Sequence, residues 1–433
     1  MKYSFRKIII WFLGLAIFIY ILSAILFSDQ EHIENYKSLE ESKISTFLSK
    51  IPIFLEAQFY NNNLIKEQDR FEGISGFSGD KNKDKIYLIL SRFDGIENES
   101  IVELVDLRTF KVKKLWRLNQ EVIPVLHKHL KKTLFTKMPN LTHPFLTNEG
   151  DLIIKDGGPL VKIGEEGNLI WSNSETIFHH SIEQNYEKDF WVPSRIYSED
   201  ATNSQLIGID AITKVSPEGK ILYQKAVNDI LSDNDIDFKL KEDGQYLLDP
   251  FEMNDIQPVL FPGPYWNLGD VFISLKKLSM VILYRPETNK VIWKIKGKTF
   301  FQHDIDIINE HTISIFNNNI ASNPENSSAK RNNQVILYDF QKDKFSKYMN
   351  KSLENNDVRT RTEGLIQILS NGDLFIEEQN HGRVLYFNHN HSLRWQFINR
   401  SNNGKIYKLN WSRILYKPED IKKVDRILNN KPN

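Results

Sequence analysis

Five polar residues recur in one frame along the chain, each leading into a short apolar run: His143-Pro-Phe-Leu, His180-Ser-Ile-Glu, Asn254-Asp-Ile-Gln, His303-Asp-Ile-Asp and Glu363-Gly-Leu-Ile. An imidazole with its unperturbed pKa of about 6.5 is, near neutral pH, both an available nucleophile and a proton carrier. The 433 residues include no cysteine, which removes disulfides, Cys-ligated zinc and thiol nucleophiles together. Any chemistry therefore falls to histidines, carboxylates, hydroxyls and amines. His180 and His303 share the frame and are expected to converge on one site, whereas His143 reads better as a hydrogen-bonded structural residue. Taken with Glu252, the same two histidines also have the ligand types of a metal-dependent hydrolase.

Residues at one repeat position must be held by repeated elements. Six segments share a strand, a short polar turn and a second strand that usually ends in an aromatic: 101–116, 159–171, 208–223, 281–293, 334–345 and 383–395. Turns such as Glu166-Gly167-Asn168, Glu218-Gly219 and Asn388-His389-Asn390 tolerate the left-handed backbone that hairpins need. An apolar triplet precedes each of the last five hairpins, as in Leu152-Ile153-Ile154, Val271-Phe272-Ile273 and Leu374-Phe375-Ile376. Two strands and two strands make one blade, so the repeat predicts an all-β, six-bladed β-propeller over residues 71–420. Solenoid repeats are shorter and more regular; the insertions at 225–250 and 319–333 suit propeller loops. The terminal aromatics, Trp171 and Trp293 among them, are expected to fill blade cores. The innermost strands of a propeller begin near its axis, so the frame residues are expected to meet in one funnel.

Lys and Arg number 56, as do Asp and Glu, and the net charge of zero leaves no basic stripe for nucleic acid. Residues 8–27 carry no charge over twenty positions, enough for a helix to cross a hydrocarbon core of roughly 30 Å. Lys2, Arg6 and Lys7 in the flank 1–7, against Asp29, Glu31 and Glu34 beyond it, keep the N-terminus in the cytoplasm. The reading is thus a single-pass anchor in the cytoplasmic membrane with the propeller on the periplasmic or extracellular side. A cleaved signal peptide fits less well, because the apolar run is long for one. Residues 28–70 read as a stalk with a short amphipathic helix, and 421–433 as a C-terminal tail.

Three motifs resemble the bacterial arylsulfate sulfotransferases, a family of periplasmic six-bladed propellers, over roughly residues 142–395. Phe301-Gln302-His303-Asp304 with Ile315-Phe316-Asn317-Asn318-Asn319 is similar to the family's nucleophile blade, which implies His303 as nucleophile. Asn254-Asp255-Ile256 with Ser274-Leu275-Lys276 is similar to the blade that carries a site asparagine and an arginine, here Asn254 and Lys276. His179-His180-Ser181-Ile182 resembles the blade with a further site histidine, implying His180. The family's site threonine corresponds to Thr362 or Thr360, and the expectation falls on Thr362. Glu252 stands where the family has a second-blade histidine, and Lys276 lacks the planar fork of arginine. Glu252, His179, Asn317 and Arg195 are the expected substrate contacts. The resemblance implies ping-pong transfer of a sulfuryl group from an aryl sulfate to a phenolic acceptor through a sulfo-histidine. Lys276 and Asn254 would hold the oxygens and His180 would serve as acid and base, with no cofactor, nucleotide or metal. A homodimer is compatible with this reading, and a non-catalytic binding propeller is the other alternative.

Overall fold

The computed structural model describes residues 63–65, 68–126, 139–199, 206–242, 245–247, 249–320 and 331–429. The expected anchor at 8–27 and the stalk up to residue 62 lie outside the described residues. Among the described residues no helix is long and apolar enough to cross a membrane. The chain divides into two compact units, and the account below concerns the unit formed by Ile65–His129 and Met138–Asn433.

That unit is all-β and propeller-like, built of antiparallel sheets in which strand follows strand. Met253–Pro258, Val271–Leu275, Met280–Arg285 and Lys290–Lys296 form one four-stranded sheet in chain order. Ile305–Asn309, Thr312–Asn317, Gln334–Asp339 and Lys344–Lys347 form the next. Leu365–Ile368, Leu374–Glu378, Arg383–Phe387 and Leu393–Ile398 follow, with Gly76–Gly79 from near the start of the unit added outside. The hairpin of Glu99–Asp106 and Lys111–Trp116 pairs with Tyr87–Asp94, whose other edge is taken by Arg413–Leu415 from the far end of the chain. Lys241–Glu242 with Gln245–Tyr246 make a separate two-stranded sheet, and the strands between 142 and 226 form a single eight-stranded one. Its two halves meet only at Phe178 against Ser194 and Ile177 against Arg195.

All six hairpins read from the sequence are present as paired strands. Second strands such as Val271–Leu275 and Leu374–Glu378 are buried at every position, because both their faces meet neighbouring sheets. Outer strands such as Lys290–Lys296 alternate between exposed and half-buried positions, as one face meets water. This alternation corrects the expectation for two aromatics. Trp171 and Trp293 are only partly buried on such outer strands, whereas Trp116 and Trp395 are fully enclosed. The Trp395 ring stacks on Tyr386 with centroids 5.2 Å apart, and its Nε1–H donates to Asn82 Oδ1 at 2.7 Å. Where a tail was expected, Pro418–Asn429 is a helix; its Val424 and Ile427 are buried in the core that also holds Tyr87, Trp116 and Leu152.

Replacement of Trp395 by Ala should cost roughly 3–5 kcal/mol, the range for emptying an aromatic site in a core. Trp293→Ala should cost less, since Trp293 is only partly buried. Denaturant unfolding of the two variants checks the order, and equal losses would contradict the packing described.

Candidate functional site

A left-handed residue stands in or shortly before the first strand of each sheet or half-sheet: His143, His180, Glu252, Phe301, Gly364 and Trp411 all have φ between 46° and 112°. The kink turns the chain from the sheet rim toward the interior. At Gly364 no side chain would fit, because a Cβ would lie 2.7 Å from both Phe316 and Thr360. Just beyond the kink, a side chain accepts a backbone N–H from the adjacent sheet. Ser181 Oγ takes Ile256 N–H (3.2 Å), Asp255 Oδ2 takes Ile305 N–H (2.9 Å) and Asp304 Oδ2 takes Ile366 N–H (2.9 Å). These three clasp residues directly follow His180, Asn254 and His303, so each clasp also fixes the frame residue before it.

His303 is 4 % exposed. Its Nδ1 lies 2.6 Å from Asn318 Oδ1 and 3.1 Å from the Phe301 carbonyl. The Asn318 amide nitrogen donates to the carbonyls of Thr360 (3.0 Å) and Glu363 (2.9 Å), which leaves only its oxygen to face the imidazole. Both neighbours of Nδ1 are therefore acceptors, so Nδ1 carries the proton and Nε2 keeps the lone pair. That Nε2 is buried and has no hydrogen-bond partner. Burial, and after it the charge of Lys276, pushes the His303 pKa down to about 3, so the ring stays neutral across the physiological range.

His180 Nδ1 lies 2.8 Å from His179 Nδ1, with the rings nearly perpendicular. On its other side, His179 Nε2 stands 3.2 Å from Oδ1 of the fully buried Asp210, off the line of a good hydrogen bond. An Nε2–H on His179 facing that carboxylate makes its Nδ1 an acceptor, so that His180 carries its proton on Nδ1 and presents Nε2, like His303. Asp210 is held in turn by Met253 N–H (2.7 Å) and by Arg195, which also pairs with Asp249 at 2.7 Å. His179 and Arg195 thus serve the carboxylate beneath the histidines. Burial first, then electrostatic interaction with His179, His303, Lys155 and Lys276, presses His180 well below its ordinary value.

Glu252 and Lys276, the two departures from the resembled family, are paired with each other: Lys276 Nζ donates to Glu252 Oε1 and Lys276 N–H to the Glu252 carbonyl. Asn254 Nδ2 donates to the Gln302 carbonyl at 3.1 Å, leaving its Oδ1 buried and unpartnered. Gln302 itself is anchored by Thr299, Met280 and Ser274 and carries the loop before His303. Asn317 turns away from the histidines; its amide binds Phe300 N–H (2.7 Å) and Gln334 (3.1 Å) and braces the loop. Thr362 is exposed with its hydroxyl against Asn380, while its backbone lies near the His303 ring. Among the described residues no group of three or more His, Asp or Glu is arranged to hold a metal ion.

Three residues join the site that the sequence reading did not assign to it. Asn318 sets the His303 tautomer; the triplet Asn317-Asn318-Asn319 was visible, but not which member would turn inward. His143, read as structural, stacks on Trp411 at 4.5 Å, keeps a buried unpartnered Nε2 and is coupled electrostatically to His180 and His303. Lys155 is fully buried with no partner for its Nζ.

Nitrogen-15 NMR of His303 should report a neutral ring with the proton on Nδ1 from pH 8 down to about 4, where an ordinary histidine is charged below 6.5. Asn318→Leu should mix the two tautomers without charging the ring. The unfolded chain takes up this proton near 6.5 and the folded one only near 3, so His303 lowers stability as pH falls through that window. A ring that titrates near 6.5 in the native protein would contradict the geometry.

No curated protein matches the sequence significantly. Among solved structures, a protein of unknown function from Bacteroides caccae aligns with a TM-score of 0.49 and 10% identity, over 77% of this chain and 100% of that one. A catalytically inactive virginiamycin B lyase from Staphylococcus aureus, solved with quinupristin, aligns with a TM-score of 0.38 and 10% identity, over 77% and 99%. Apo AztD from Citrobacter koseri gives a TM-score of 0.35 at 9% identity, over 76% and 98%. A family model described as arylsulfotransferase (ASST) matches residues 146–400. That stretch contains the clasps together with His180, Asn254, Lys276 and His303, and by this match the chain belongs to the arylsulfotransferase family.

Proposed function

We propose that the protein moves a sulfuryl group from an aryl sulfate ester to a phenolic acceptor through a sulfo-histidine at His303, within a propeller of six blades in which the eight-stranded sheet counts as two. Membership of the arylsulfotransferase family suggests a transferase. The observation that carries the finer reading is the Nδ1-protonated tautomer of His303, which leaves a buried, unpartnered Nε2 lone pair. That nitrogen attacks the ester sulfur; the S–O bond to the aryl group breaks and the phenolate leaves with the electron pair. An acceptor phenol then attacks the same sulfur, the S–N bond breaks and the imidazole lone pair returns. His180 delivers a proton to the departing phenolate and removes one from the acceptor. In the empty site His180 is neutral, and the negative charge of the bound donor raises its affinity for the proton it must deliver. Asn254 and Lys276 contact the transferring group, the lysine with its charge shared with Glu252.

A cavity of about 760 Å³ opens beside Phe301 and Lys277, the residues flanking the His303 loop and Lys276. Phe238, Pro250 and Leu278 give it apolar walls and Lys296 a cationic rim, which suits an aryl group. Glu252, the carboxylate of a metal-hydrolase reading, is engaged by Lys276, which favours the sulfotransfer reading. The exported, membrane-anchored location belongs to the same proposal and rests on the run at 8–27.

Incubation of the full-length protein with an aryl sulfate and no acceptor should add the mass of one sulfuryl group to the peptide containing His303, as an acid-labile adduct. His303→Ala should abolish label and turnover together. His180→Ala should slow transfer by roughly 10²- to 10⁴-fold and still leave label. Label that persists in His303→Ala sinks the sulfo-histidine, and a wild-type protein that neither labels nor turns over points to a binding propeller.

A further inference from the structure

Among the buried polar atoms of the site that lack partners are His143 Nε2, Lys155 Nζ, Asn254 Oδ1 and His303 Nε2. Native interiors seldom leave such atoms unmade, and of these the Lys155 amine is the donor that an anionic ligand can complete. Lys155 is the least expected of them. It ends the strand Leu152–Lys155 and pairs across the sheet with Thr142, beside the kink at His143. Lys276 holds the corresponding place in its own sheet, one residue past Val271–Leu275 and opposite the kink at Glu252. The two lysines differ in what faces them. Glu252 neutralises Lys276, whereas Lys155 lies opposite Thr142 with His143 next to it, and among the described residues no carboxylate is paired with its Nζ.

We propose that Lys155, with His143 beside it, forms a second cationic arm of the site, which binds one oxygen of a sulfate-type oxyanion and takes over the role that the Glu252 pairing withdraws from Lys276. This rests on the sulfotransfer reading for the identity of the anion. His143 and His180 both feel the lysine electrostatically, and the strand register sets Lys155 beside the kink that carries His143. Arg413 repels the protonated amine, while Glu183 and Asp156 attract it. Arg413 is itself bound to Glu183 at 2.7 Å, which leaves that carboxylate occupied. Burial holds the lysine well below its usual value when the site is empty. An arriving anion reverses that balance. Of the bases around it the amine is intrinsically more basic than any imidazole, so Lys155 takes a proton from solvent as the anion enters.

The test is calorimetric titration of full-length protein in detergent with inorganic sulfate near pH 7.5, in two buffers of different ionisation enthalpy. Wild-type protein should bind sulfate with net proton uptake, because the anion favours the protonated amine that burial disfavours. Lys155→Met should bind roughly 10- to 100-fold more weakly, the ratio expected when a charge-assisted hydrogen bond is lost, and with less uptake than the wild type, His180 alone being left to gain a proton. Its melting temperature should be unchanged or higher, because it removes a buried amine that has no partner. Should that variant fail to fold, Lys155→Arg decides: its charge is permanent, so it should bind sulfate with less proton uptake than the wild type. Wild-type affinity and uptake in Lys155→Met, or no measurable binding by wild-type protein, overturns the proposal. Sulfate binding through Lys155 in a protein that never labels His303 would leave the anion subsite standing and remove the transfer reading alone.

Discussion

Side chains that reach across to a neighbouring sheet and accept a backbone N–H hold this molecule together at its centre. The first strands of adjacent sheets converge there and share no β-ladder hydrogen bonds, so their inward amides would otherwise be orphaned. Ser181, Asp255 and Asp304 meet that need in succession, and Gln367 with Ile414 and Glu377 with Trp411 and Ser412 continue it. Burial pushes the carboxyls of Asp255 and Asp304 well up, and that of Glu377 up to about 7. A ring of acceptors so poorly solvated stays in place only because each has a fixed donor. The residue before each of the first three clasps inherits that rigidity, and those residues are His180, Asn254 and His303.

Electrostatics at the centre follows from the same closeness. His143, His180 and His303 are pressed toward neutrality by burial and by the cations around them, which suits a nucleophile and leaves the empty site short of protons. The Glu252 and Lys276 pair removes one cation from the tally that an anionic donor would meet. Read separately in the sequence, the two residues look like independent departures from a family pattern. In the fold they are one compensated change, since a carboxylate placed opposite a flexible amine is satisfied where a carboxylate alone would repel the donor.

The hairpins were legible in the sequence because strand patterning and turn chemistry are local; all six appear at the expected places. The frame from His180 to His303 was legible because the clasp following each member leaves a polar residue in front of an apolar run. Burial of individual aromatics was not, because Trp293 and Trp395 end similar segments and differ only in what the next sheet places over them. Asn317 and Asn318 are adjacent and of one type, and the choice between bracing a loop and facing His303 is made by the carbonyls of Thr360 and Glu363, far along the chain. The C-terminal helix carried its signal in the spacing of Ile421, Val424, Ile427 and Leu428 after Pro418, a pattern easily read as a charged tail.

Arg413–Leu415 supplies the innermost strand to a sheet whose other three strands come from the beginning of the unit. Arg413 in that strand also binds Glu183, in the middle of the chain. Synthesis proceeds from the other end, so until residues 413–415 emerge the nascent protein carries an uncapped strand edge and an unmatched carboxylate at its heart. Such a chain is a target for proteases and chaperones rather than a partly competent catalyst. Competence is therefore granted late and all at once, and a premature stop a few residues upstream of Arg413 would read out as absence of protein instead of reduced activity.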